Sequence, residues 1–323
     1  MRFVVVGLGA VGGSLAVRLC RAGHEVTAIA RGAQLDAVRR HGLRLESPTD
    51  SVTATFPVCA GPAEVRFGDG DVVVLATKSQ HTAGVLTGLA NRAPEGVAVL
   101  SAQNGVANEP EALRYFPHVY GVVVMCPTAY LEPGTVRAYS APVTGLLDVG
   151  CWPDGEDDTS RAVAAALTES TYDSRSVPDV RRWKYAKLLT NLGNPVEAVC
   201  GPQARPGPLV DLLRAEGEAV LAAAGIEHAS AEEDRERRGD LLRLGPIDGQ
   251  SRPGGSTWQS LARGAGSTEA DHLCGEVVRL GRLHGVPTPG NALLQRLARE
   301  LVRGGALPGG YGEADLLARL DGR

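Results

Sequence analysis

Along the first half of the chain, short apolar runs rich in β-branched residues recur: FVVVG at 3–7, HEVTAIA at 24–30, DVVVLAT at 71–77, GVAVLSA at 96–102, YGVVVMC at 120–126 and TGLLDVG at 144–150. Longer stretches with helical spacing separate several of them, such as AVGGSLAVRLCRAG at 10–23 and HTAGVLTGLANRA at 81–93. Strand-like runs alternating with helices predict a largely parallel sheet covered by helices, an α/β Rossmann-type arrangement. One stretch breaks the rhythm. LRLESPTDSVTATFPVCA at 43–60 reads as two extended pieces around a Ser-Pro-Thr-Asp turn, a hairpin-like insertion.

From Thr159 onward the strand-like runs almost vanish. Segments 161–170, 180–191, 208–225, 269–285 and 292–304 carry helical spacing, so the second domain is expected to be all-α. Pro178 disfavours helix for the residue before it and suits the first turn of a new one. It places the boundary between a first domain at 1–177 and a helical domain at 178–323. The charged run EEDRERRGD at 232–240 reads as a solvated helix face, and GPIDGQSRPGG at 245–255 as a loop.

Composition narrows the function. A chain of 323 residues with 43% hydrophobic content can build two cores. A net charge of −4 without long basic runs argues against nucleic acid as a partner. The amino terminus lacks a secretory layout, and no apolar stretch approaches the roughly 20 residues of a membrane span, so a cytoplasmic location is expected. The six cysteines show neither a CxxC pair nor zinc-like spacing, and no metal site is expected.

Gly7, Gly9 and Gly12 form G-x-G-x-x-G directly after the first strand and at the start of a helix. In that context the first glycine permits the tight turn, the second lets a pyrophosphate approach the backbone, and the third lets helix and strand pack closely. The backbone from Gly7 through Leu8, Gly9, Ala10, Val11 and Gly12 would then hold a dinucleotide at the helix amino terminus. At the end of the second strand, where an Asp or Glu would take the ribose hydroxyls of NAD, stands Arg31. An arginine there can pair with a 2′-phosphate, which points to NADP, with Lys78 at another strand end as a possible second cation.

Asn104, in QNG at the end of a strand, is expected on the side of the sheet where ligands bind in such folds. Lys187 and Asn191 are spaced to share a helical face, with Asn194 one turn further on, and together they can orient a polar ligand. Lys184, on an adjoining face, is the rival for the reacting cation. Ser256 and Glu269 bracket the approach to the helix at 269–285, where Thr268 and Asp271 could form a capping box.

These residues, in this order, resemble the ketopantoate reductase family: the glycine fingerprint, Arg31, Lys78, QNG at 103–105, W-x-x-x-K-x-x-x-N-x-x-N-P at 183–195, STWQ at 256–259, and TE at 268–269. The resemblance covers nearly the whole chain. It implies an NADPH-dependent oxidoreductase that reduces 2-dehydropantoate to pantoate, a step of pantothenate biosynthesis, with a helical carboxy-terminal domain completing the cleft. It implies Lys187 as the catalytic lysine, Glu269 as its acidic partner, Asn104, Asn191 and Asn194 as substrate-cleft residues, and Ser256 as the serine meeting the substrate carboxylate. The partner is then a small 2-oxo acid, and a homodimer is left open. The chain also departs from the family. Asn194 falls one residue early, which calls for a kink near Gly193 and Pro195. The residues before the serine are Arg252, Pro253, Gly254 and Gly255, without the usual asparagine, and Cys274-Gly275 replaces an Asn-Gly pair. A related reductase acting on another 2-oxo acid or an imine is the alternative, and a non-catalytic NADPH-binding regulator is a third reading.

Overall fold

In the computed structural model of the chain, which describes residues 1–264 and 266–322, the six apolar runs become β1 (Arg2–Val6), β2 (Glu25–Ile29), β6 (Asp71–Leu75), β7 (Ala98–Ser101), β8 (Val119–Met125) and β11 (Leu146–Cys151). The insertion supplies β3 (Leu43–Glu46) and β4 (Ser51–Ala54), which pair antiparallel as expected, and also the short β5 (Val58–Cys59). The main sheet has 7 strands in the order β11-β8-β7-β6-β1-β2-β5. All neighbours are parallel except β11 with β8. Alternation along β1 sends Phe3 and Val5 into a core with Leu15 and Leu19, and Val4 and Val6 into one with Leu86, Leu89 and Phe116. Both faces of the sheet are therefore buried, which is why its strands read as continuous apolar runs.

The crossover helices are α1 (Ala10–Arg21), α2 (Gly32–His41), α3 (Thr82–Ala90) and α4 (Asn108–Ala112), with α5 (Asp158–Glu169) following β11. A second sheet, not foreseen from the sequence, joins β4 and β3 to β10 (Thr135–Ala138) and β9 (Thr128–Ala129). Helix α1 lies against it: a Cβ at Gly13 would come within 2.7 Å of the Val136 side chain. The pair Gly12-Gly13 thus serves both sides of α1.

The chain divides into two units, one of Met1–Lys184 with Ser230–Arg252, the other of Tyr185–Ala229 with the residues from Pro253 onward. The division falls later than the expected 177/178 boundary because α6 (Val180–Asn191) starts on the first unit, where Val180 packs with Val123, Met125 and Leu146. Segment 230–252 also belongs to the first unit and not, as expected, to the helical one. Its helix α9 (Ala231–Arg238) opens with a capping box between Ser230 and Glu233. The expectation of a merely solvated face fails at Arg237, which is 6% exposed. Its guanidinium donates to both carboxylate oxygens of Asp148 at 2.6 and 2.7 Å and pairs with Asp173 at 2.7 Å. Arg182 meets Glu233 in the same two-pronged way at 2.8 and 2.7 Å.

The second unit is helical: α7 (Gly193–Cys200), α8 (Pro208–Ala223), α10 (Ser256–Ala262), α11 (Cys274–His284), α12 (Pro289–Gly304) and α13 (Glu313–Asp321). Proline opens α8 and α12, where its missing N–H costs no hydrogen bond. Glu216 of α8 accepts from the amides of Gly290 and Asn291 at 2.7 and 2.9 Å, satisfying free donors at the start of α12. The helix read at 269–285 is in fact a 3₁₀ turn, Glu269–Asp271, followed by α11. Thr268 caps that turn through the amide of Ala270, but Asp271 does not complete a box; it accepts instead from Gln295 and Arg299.

Candidate active site

The glycine fingerprint sits where the sheet order reverses, between β1 and β6. Gly7 leaves β1 at φ 98°, in the region glycine favours, and its amide donates to the carbonyl of Ile29 at 2.9 Å. A Cβ on Gly12 would stand 2.0 Å from the Gly7 carbonyl oxygen and 2.7 Å from the Ala76 methyl, so helix and turn are in direct contact. At Gly9 the situation is opposite: beyond its chain neighbours, no atom lies within 4 Å of where a Cβ would be. The protein does not need that glycine for packing, and the space beside it opens into a cleft of ≈ 560 Å³. Gly7, Leu8, Gly9, Arg31, Thr77 and His81 are among its lining residues. A phosphate could approach the backbone at Gly9 and the start of α1, whose first turn carries no acidic residue.

Arg31 lies between β2 and α2, exposed at this cleft. Gln34, one turn on, donates to the Leu8 carbonyl at 2.8 Å and accepts from the Gly134 amide at 2.7 Å, holding the fingerprint loop from behind. Lys78 is half-buried after β6 and is absent from the cleft lining, so of the two expected cations Arg31 alone lines it.

The QNG turn follows β7 and is densely bonded. Gln103 donates to the Thr77 carbonyl at 2.8 Å and the Thr82 hydroxyl at 2.9 Å. Asn108 donates to the Ser79 hydroxyl and to the carbonyl of Asn104, each at 3.1 Å, and accepts from Thr82 at 2.8 Å. Asn104 itself is half-buried. Lys184, the rival lysine, is 3% exposed and belongs to this cluster. Its ammonium donates to the carbonyls of Gln103 at 2.9 Å and Val122 at 3.3 Å and is ion-paired with Glu109, itself 0% exposed.

In the helical unit, Lys187 is half-buried on α6 and Asn191, one turn later, is buried. The kink called for by the sequence occurs at Leu192. Pro195 has no N–H to offer the Asn191 carbonyl, and its ring would crowd that carbonyl, so α6 ends at Asn191 and α7 begins at Gly193. This break sets the direction of Asn194, which is buried and accepts from Arg205 at 2.5 Å. Arg205 also pairs with Glu197 at 3.4 Å, and Glu197 accepts from the Gly255 amide at 3.0 Å. Gly254 and Gly255 leave no room for side chains here: a Cβ on Gly255 would stand 2.8 Å from Glu197 and 3.0 Å from Asn194. The next residue is Ser256, whose hydroxyl oxygen is buried without a hydrogen-bond partner among the described residues. Glu269 is buried at 4% exposure in its 3₁₀ turn. Cys274 is fully buried, and burial pushes its thiol up to about 12, which makes it an inert filler.

Sequence reading missed Glu197 and Arg205. A lone glutamate in the apolar NPVEAV stretch was the available signal for the first; Arg205 gave none. Among the described residues no helix is long and apolar enough to cross a membrane, and no group of His, Cys, Asp and Glu could hold a metal ion.

Two family models match the chain: ketopantoate reductase PanE/ApbA over residues 3–154, and the ketopantoate reductase PanE/ApbA C-terminal model over residues 179–302. Among curated proteins, the chain is similar to the 2-dehydropantoate 2-reductase of Mesorhizobium japonicum, 30% identical over 72% of this chain and 75% of that one. It is 26% identical to that of Pyrococcus horikoshii over 62% of this chain, a match that spans 64% of the relative's length. Among solved structures, a PanE/ApbA family ketopantoate reductase from Ralstonia eutropha JMP134 superposes with a TM-score of 0.79 at 28% identity, covering 94% of this chain and 99% of that one.

Proposed function

The chain belongs to the ketopantoate reductase family, and from that premise we propose that it reduces a 2-oxo acid to the 2-hydroxy acid with NADPH, 2-dehydropantoate to pantoate being the reaction. The observation that carries the cofactor assignment is the open space at Gly9 beside an exposed Arg31. Backbone amides at the start of α1 take the pyrophosphate, and Arg31 takes the 2′-phosphate by charge-assisted hydrogen bonds. When bound, NADPH supplies the hydride for C2 of the oxo acid.

The chain's own residues do the rest. Lys187 donates a proton to the oxygen at C2 as negative charge develops there, a contribution of about 10²–10⁴ in rate for a positioned acid. Glu269 balances the charge of that lysine, and Asn104 and Asn191 orient lysine and carbonyl. Ser256, whose buried hydroxyl lacks a partner among the described residues, gains one in the substrate carboxylate. Asn194 is held by Arg205. The substrate is a small molecule, and the protein works in the cytoplasm.

The test is steady-state NADPH oxidation with ketopantoate beside a panel of other 2-oxo acids. Turnover of ketopantoate is expected. Turnover of another 2-oxo acid without it would reassign the substrate, and no oxidation with any member would reject the reductase reading.

A further inference from the structure

A buried lysine paired with a buried glutamate is an expensive way to hold a fold, since a well-packed apolar pair of similar volume is often as stable or more so. Lys184 and Glu109 are such a pair. All three ammonium protons of Lys184 have acceptors: the Gln103 carbonyl, the Val122 carbonyl and the Glu109 carboxylate. Strand β8 makes room for its stem with Gly121, where a Cβ would stand 3.2 Å from the lysine Cδ.

The carbonyl of Gln103 belongs to the peptide plane that ends at the Asn104 amide. Because that plane is rigid, fixing its oxygen fixes the backbone entering Asn104. The plane leaving Asn104 is fixed independently, its carbonyl accepting from Asn108 at 3.1 Å and from the Ser79 hydroxyl at 3.4 Å. Asn104 is thus clamped on both sides, followed by Gly105 at φ 81°.

We propose that Lys184 and Glu109 are positioning residues of the reductase, whose buried ion pair sets the direction from which the Asn104 side chain is presented. Glu109 holds the ammonium, the ammonium holds the Gln103 carbonyl, and the carbonyl holds the Asn104 peptide. Neither residue touches substrate, and Lys184 is not the acid. The proposal rests on the reductase reading for the role of Asn104, whereas the clamp itself can be read without turnover.

Three variants test it: Lys184→Met, Glu109→Gln and the double variant. Lys184→Met should lower kcat about tenfold or more, since misplacing a positioned group by about 1 Å can cost 10²-fold. The Kd for NADPH and the pH dependence of kcat should be unchanged. In the double variant no lone charge remains buried, so the thermal midpoint should recover towards that of the parent while kcat stays low; a merely structural pair would recover both. Amide hydrogen exchange at Asn104 and Gly105 should quicken in Lys184→Met, whatever the protein turns over. If the parent reduces no 2-oxo acid, the reductase reading fails and exchange alone decides the clamp. Unchanged exchange, a double variant with parental kcat, or loss of the alkaline limb of the pH profile in Lys184→Met would each overturn the proposal.

Discussion

The roles proposed for Arg31 and Lys187 are ones that single substitutions can isolate. Replacing Arg31 by alanine removes the proposed partner of a 2′-phosphate, so NADPH binding should weaken by about 1.5–3 kcal/mol while NADH binding is nearly untouched. Titration with both dinucleotides checks this; equal losses would remove the arginine from cofactor choice. Lys187→Ala should keep NADPH affinity yet lower kcat by about 10²–10⁴. Near-parental turnover in that variant would take the proton donor away from Lys187. The choice between the two lysines was open in the sequence, because both lie on one helix at neighbouring faces. The surroundings of the two differ: Lys184 is 3% exposed, and its ammonium meets two backbone carbonyls and a carboxylate.

At the scale of elements, the glycine fingerprint contains two different requirements. Gly12→Ala forces a Cβ against the Gly7 carbonyl and the Ala76 methyl, so it should cost about 1–3 kcal/mol of stability and weaken the cofactor with it. Gly9→Ala meets no protein atom within 4 Å beyond its chain neighbours, so the melting temperature should hold while NADPH binding falls. Thermal melts beside cofactor titrations separate the two; matched losses in both variants would mean that the fingerprint serves packing alone. The six buried strands and α6 were legible because their apolar spacing is long and regular, and α6 has the bounds read for it, 180–191. Short pieces were not. Helices α7 and α10 have few residues and carry glycine or proline at their starts, and of the short strands β10 is held by pairing with β3 of the insertion and β9 by pairing with β10. The helix at 269–285 was misread because its spacing runs unbroken through a backbone that changes from 3₁₀ to α near Leu273.

For the whole molecule, the return of segment 230–252 to the first unit matters most. No local pattern announces it, since a charged helix looks solvated until its partners, far away in sequence, are known. Arg237→Met leaves Asp148, itself 3% exposed, without its guanidinium. Losing one partner of such a buried pair typically costs about 3–5 kcal/mol, and the unfolding midpoint in urea should fall accordingly. A shift within about 0.5 kcal/mol, the usual scatter for surface changes, would show that the arginine is dispensable.

That arrangement also imposes an order of events on a ribosome. Asp148 and Asp173 emerge long before Arg237, and between them and their partner the chain must deliver Tyr185–Ala229, a piece of the other unit. The nucleotide-binding half is therefore not a cassette that can finish folding as its last strand leaves the exit tunnel, although domains generally fold as units during synthesis. A fragment ending at Lys184 would hold two carboxylates awaiting a cation supplied by a later stretch of message. Swapping the amino-terminal half between relatives would transplant an unfinished unit unless the stretch from Ser230 to Arg252 travelled with it.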